Sequence, residues 1–197
     1  MRDISEIKKT LEDAEFALKH LEFAIRLNGY CDSNPSSDSF LHFLEELNIP
    51  HSCDLPQGLV NYDIPFSENE VIWHAGAAVS VALGVSAQIL NKAYEQTGIK
   101  VIIPTNSTSE AVRLYINQIR NLFAHSTGAP IWDIIPKKQV AIELDINGNK
   151  LKVDFAVLQG KEFEYSQIGG LRWWIDTAYF ALDDIKSIIG EQNQPAQ

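Results

Sequence analysis

The stretch "VIWHAGAAVSVALGVSAQIL", Val71 to Leu90, carries no formally charged side chain. About 20 such residues can cross a bilayer, so this stretch reads either as a membrane span or as the central helix of a bundle. The second reading fits its details. It holds His74, Ser80, Ser86 and Gln88, two glycines and many alanines, and its near flank carries Glu68 and Glu70 rather than clustered Lys and Arg. Small residues on most sides let neighbouring helices approach closely, as the centre of a bundle requires. No membrane span is expected.

The signals around it are helical too. Ser67 followed three residues later by Glu70 forms a capping box, and Gly98 comes after a helix expected from about Glu68 to Gln96. Upstream, Ile4, Ile7, Leu11, Ala14, Leu18, Leu21 and Ile25 recur three and four apart. They predict an amphipathic helix from Asp3 to the Asn28-Gly29 stop, with a narrow seam suited to a bundle or a dimer. "CDSNPSSDS" reads as a loop, a short helix comes next at about Ser39 to Leu47, and the proline-bearing segment Asn48 to Ser67 reads as irregular.

Downstream, a cap at Ser107 or Thr108 opens a helix whose buried face is Val112, Tyr115, Ile116, Ile119 and Phe123. Arg113, Asn117, Arg120 and Ala124 share another face, which predicts that the two arginines are displayed together. The period then changes to two. Val140, Ile142, Leu144 and Ile146 alternate with polar neighbours, as do Leu151, Val153, Phe155 and Val157, and "NGN" supplies the turn of a β-hairpin within about 138–158. Leu171, Trp174, Ala178, Leu182, Ile185 and Ile189 mark a last amphipathic helix before a polar tail at 191–197, expected to be disordered. The expectation is an all-α, up-and-down helical bundle with an inserted β-hairpin, forming a single domain over 1–190.

Composition narrows the function. The 197-residue chain is 45% hydrophobic, enough for one good core, and its net charge of −10 excludes a protein that coats nucleic acid through bulk positive charge. The distribution is uneven. Residues 31–110 hold ten acidic and two basic side chains, whereas 111–138 hold Arg113, Arg120, Lys137 and Lys138 against Asp133. Such a patch can focus one phosphate-bearing ligand on one cleft while the remaining surface repels polyanions, although a short window also gives such an imbalance by chance. Cys31 and Cys53 lie in the polar region after the first helix and no secretory leader is recognisable, so a reduced, cytoplasmic protein is expected. Cys31, His42, His51 and Cys53 match no metal-ligand spacing, and no metal site is expected. His74 reads as a hydrogen-bonded core histidine and His20 as a solvent-facing one, whereas Trp132 reads as loop packing or a base-stacking surface.

Chemistry concentrates in "NQIRNLFAHSTG", Asn117 to Gly128. Residues five apart in an unbroken helix are turned by about 140° from each other, so Arg120 and His125 share a face only if the helix ends near the histidine. Gly128 and Pro130 supply that end, and Asn121, four residues before His125, is placed to orient its imidazole. Arg and His at a helix C-terminus also suit the helix dipole, by about 0.3–1 kcal/mol, without any catalysis.

"RNLFAH", with Arg120, the polar Asn121 and then His125, resembles the signature of the HEPN family: an arginine, four to six residues and a histidine at the end of a bundle helix. The likeness extends over the helices from about Ser67 to His125 and the last helix; the β-hairpin and the proline-bearing loop lie outside the family's minimal pattern. It implies a homodimeric, metal-independent RNA endonuclease of toxin or defence type that requires no cofactor. His125 would act as acid and base, Arg120 would stabilise the phosphate and Asn121 would orient the histidine. Arg113 and Asn117 would hold the substrate backbone. A dimer would place two histidines side by side, and the product would carry a 2′,3′-cyclic phosphate. Some relatives are neutralised by a nucleotidyltransferase-type antitoxin. The second reading of the resemblance, after the endonuclease, is a noncatalytic adapter module that binds a nucleotide or a partner protein in the same cleft.

Overall fold

A computed structural model of the chain describes residues 4–35, 37–47, 51–55, 58–62, 65–125 and 129–192. The chain is mostly helical, with α1 (Ile4–Ser33), α2 (Asp38–Leu47), α3 (Glu68–Thr97), α4 (Thr108–His125), the single turn α5 (Phe155–Leu158) and α6 (Gly170–Gln192). Two antiparallel hairpins accompany them, β1 (His51–Leu55) with β2 (Gly58–Tyr62) and β3 (Ala141–Ile146) with β4 (Asn149–Asp154). The chain divides into two compact units, one of residues 1–20 and 81–197, the other of residues 21–80.

In the smaller unit three expectations give way. α1 does not stop at Gly29 but runs on to Ser33, and the added turn places Cys31 in a buried cluster with Phe40, Val71 and Ala75. Burying these groups outweighs the roughly 1 kcal/mol that a glycine costs inside a helix. The segment after Asn48 is not irregular throughout, because β1 and β2 pair in register with Cys53 opposite Val60. It lacks the Asn-Gly turn and the clean alternation by which a hairpin is recognised in sequence. His74 is exposed rather than buried, its ring set edge-on to Trp73 at 4.7 Å and to Phe66 at 5.7 Å. At the start of α3 the capping box is in place: the Ser67 amide donates to Glu70 Oε2 at 2.8 Å.

The larger unit is built around α4. Its predicted face of Val112, Tyr115, Ile116, Ile119 and Phe123 is fully buried. Opposite it, α3 contributes Leu83, Ala87, Leu90 and Tyr94 to the core, and α6 contributes Trp174, Ala178, Leu182 and Ile185. Among the described residues α3 is the one helix long and apolar enough to cross a membrane. Within this unit it is a core helix, and its polar Ser86 and Asn91 are buried with hydrogen-bond partners. Trp174 Nε1 donates to Ser86 Oγ at 3.1 Å, and Ser86 in turn donates to the Leu83 carbonyl at 2.7 Å. Tyr115 donates its hydroxyl to the Ile168 carbonyl at 2.8 Å, which ties the middle of α4 to the turn that precedes α6.

The second hairpin has the expected turn. Asn147 and Gly148 both take positive φ, 54° and 80°, and Ile142, Leu144 and Ile146 alternate inward. β4, however, ends at Asp154 rather than at Val157. Asp154 caps a helical turn by accepting from the Ala156 amide at 3.0 Å, and this lets both Phe155 and Leu158 reach the core. Trp132 is buried against Phe155 and Phe163 and donates to Gln167 Oε1 at 2.7 Å. It therefore packs the segment after α4 and is not a surface for stacking a base. α6 continues to Gln192, and the rest of the expected tail, 193–197, lies outside the described residues.

Candidate functional site

α4 is fixed at its start by side-chain caps and along its length by packing, and this sets where its polar residues emerge. Ser107 Oγ accepts from the Glu110 amide at 3.2 Å, and Glu110 Oε2 accepts from the Asn106 amide at 2.6 Å. The helix runs from there without interruption to His125. The expected stop at "HSTG" falls on the His125 side chain and residues 126–128, which lie outside the described residues.

The face carrying Arg113, Asn117, Arg120 and Ala124 grades from buried to exposed instead of being displayed evenly. Arg113 is only 7% exposed, Asn117 and Arg120 are half-buried and Ala124 is open. The cause is α3, whose C-terminal half covers the start of this face. The Arg113 guanidinium lies over the Tyr94 ring, 5.4 Å from its centroid, and Nη2 reaches the Tyr94 carbonyl at 3.5 Å. Nη1 is buried without a hydrogen-bond partner. Burial lowers the Arg113 pKa from its usual value, and Tyr94, Glu95 and Asp184 oppose that shift.

Between α3 and α4 lies a cleft of about 510 Å³, lined by Gln88, Asn91, Lys92, Glu95, Arg120 and Ala124, with Ile89 completing the wall. A second, of about 340 Å³, lies toward Gly98 and Lys100 and is lined by Arg113 and Asn117; Asn91 and Glu95 belong to both. Arg120 Nη1 donates to Asn121 Oδ1 at 3.0 Å, so the asparagine's oxygen serves the guanidinium of the preceding residue. Asn117 is equally committed: its Nδ2 donates to Asn91 Oδ1 at 2.9 Å, and its Oδ1 accepts from Lys138 Nζ.

Lys138 is the residue that the sequence did not single out. It ends a 3-10 turn, Pro136–Lys138, immediately before the second hairpin. Burial lowers its pKa below the usual lysine value, and the positive charges of Lys137 and Arg120 lower it further. The sequence did hold a signal, since Lys137 and Lys138 are two of the four cations in the basic window. What it did not hold is the bond to Asn117. Of the five residues expected to form the site, Arg120 thus lines the first cleft with Asn121 bonded to its guanidinium, Arg113 and Asn117 line the second, and Asn91 and Glu95 join the two; the His125 side chain lies outside the described residues.

No protein-family model matches this chain, and comparisons with curated proteins and with solved structures likewise found no match.

Proposed function

We propose that this chain is a metal-independent RNA endonuclease of the HEPN type, with Arg120 as the phosphate-stabilising group and His125 as the proton-transfer group. One observation carries the reading. Arg120 stands in the last part of α4, five residues before His125, and it opens onto a groove that Lys92 also lines, with Lys138, bonded to Asn117, within electrostatic reach.

The chemistry follows from the side chains. An imidazole with a reference pKa of about 6.5 can take the proton of an RNA 2′-hydroxyl near neutral pH. The 2′-oxygen then attacks phosphorus, the bond to the 5′-oxygen breaks, and the leaving oxygen takes up a proton. A guanidinium can grip the nonbridging oxygens in bidentate fashion as charge builds on them. The products are a 2′,3′-cyclic phosphate and a 5′-hydroxyl. One histidine per chain supplies either the base or the acid, so the mechanism calls for a homodimer that brings two motifs together. Asn121 holds the arginine in this reading as well as orienting the histidine. A cytoplasmic toxin of this kind would be neutralised by an antitoxin partner of nucleotidyltransferase type.

The test is incubation of wild type and His125→Ala with RNA in EDTA, with product ends read by mass spectrometry. Cyclic phosphate ends from wild type alone are the expected outcome. If the folded, dimeric wild type leaves RNA intact, the nuclease reading falls and the same groove belongs to a noncatalytic nucleotide- or protein-binding module.

A further inference from the structure

We infer that Lys138 is a phosphate-positioning residue whose ammonium group, held by Asn117, forms with Arg120 a two-cation clamp on a phosphodiester of a single-stranded nucleic acid. The clamp takes its ligand class from the ribonuclease reading, but it concerns binding and holds whether or not the bound strand is cut.

A row of hydrogen bonds starts at Glu95. A carboxylate only accepts hydrogen bonds, so the group that Asn91 turns toward it, at 2.8 Å, is the amide Nδ2. Asn91 is therefore left with its oxygen for Asn117. Asn117 must meet that oxygen with Nδ2, at 2.9 Å, and present its own oxygen to the far side. That side is where Lys138 Nζ donates. The polarity of the row is thus fixed from the carboxylate outward, and its free end is an acceptor that suits a cation.

The backbone beneath Lys138 is equally fixed. Its amide donates to the Ile135 carbonyl at 2.8 Å, and the neighbouring Gln139 side chain donates to the Ile134 carbonyl at 2.8 Å. Among the described residues neither Lys138 nor Arg120 has an ion pair. Lys138 is half-buried and stands within electrostatic reach of Arg120 and Lys137. The groove's carboxylate, Glu95, is engaged by Asn91 and pairs with neither cation; like charges gathered in a partly desolvated groove repel one another, and an incoming phosphate relieves that repulsion. A lysine that only tied the loop to α4 would gain nothing from standing beside two more cations.

The experiment uses an all-deoxy, single-stranded oligonucleotide, which has no 2′-hydroxyl to react, with binding followed by fluorescence anisotropy across a salt series. Lys138→Gln is expected to weaken binding roughly tenfold, the scale of one charged hydrogen bond. It is also expected to reduce the slope of log K against log salt by about 0.7, the loss of one phosphate contact. Lys138→Arg is expected to keep the wild-type slope. A wild-type slope in a Lys138→Gln protein that melts as wild type does overturns the inference, as does an absence of binding by wild type at low salt. If Lys138→Gln does not fold, Asn117→Ala decides: weakened binding supports the clamp, and wild-type affinity overturns it. Should RNA survive intact while Lys138→Gln flattens the salt slope, the nuclease reading falls and the clamp stands.

Discussion

The ring of Phe123 fills the space that a side chain at Gly84 would need. A Cβ built on Gly84 would lie 3.0 Å from the Cβ, Cγ and Cδ1 atoms of Phe123. α3 and α4 therefore approach closely at this level, and the phenylalanine is the one inside "RNLFAH". Gly84→Ala must push either the ring or the helix aside. It is expected to destabilise the fold by about 1–3 kcal/mol, the usual range for overpacking a core, and to shift the NMR signals of residues at the end of α4. Unchanged stability, measured by urea denaturation, would mean that α3 and α4 can shift apart by a few tenths of an ångström at no cost.

The Trp174–Ser86 bond gives a second prediction. Both residues are fully buried, so Ser86→Ala leaves an indole N–H without its acceptor in the core. The expected loss is about 1–3 kcal/mol. In a double-mutant cycle, Ser86→Ala should cost clearly less in a Trp174→Phe background, where no N–H remains to be stranded. Additive losses in the two variants would show that the bond adds nothing beyond packing.

A third concerns alkaline pH. Burial, then the neighbouring Asp184 charge and the hydrogen bond to it at 2.9 Å, raise the Tyr94 pKa far above that of a free phenol. A raised pKa in the folded state gives stability that is fully present below the unfolded value of about 10 and is lost as pH rises beyond it. Tyr94→Phe should therefore flatten the fall of stability above pH 10 by about 1.4 kcal/mol per pH unit, while pH 6–8 shows no change of slope from this group. Urea midpoints taken from pH 8 to 11.5 make the comparison, and an identical alkaline slope in both proteins contradicts it.

Periodicity alone located α4, its buried face and the second hairpin, because each is governed by contacts within one element and its turn. Glycine at position 29 misled because a helix stop also depends on the residues just beyond it: Cys31 had a cluster to join, and a sequence does not show where Phe40 and Val71 will meet it. The same limit applies at the candidate site. The spacing of Arg120 and Asn117 on α4 was legible, as was their basic neighbourhood. The cover over Arg113 and the row from Glu95 to Lys138 join residues up to 47 positions apart through α3 and the segment after α4, and no local pattern encodes such pairings.

The Tyr115 hydroxyl, bonded to the Ile168 carbonyl, pins the midpoint of α4; Ser109 holds the first turn by donating to Asp184 at 2.7 Å, and Phe123 seats the last turn on Gly84. A helix fastened at three levels cannot slide or rotate by a register step to accommodate a ligand that binds beside it. Arg120 is therefore carried on a backbone already set: a ligand that fits beside it would pay no penalty for ordering the helix.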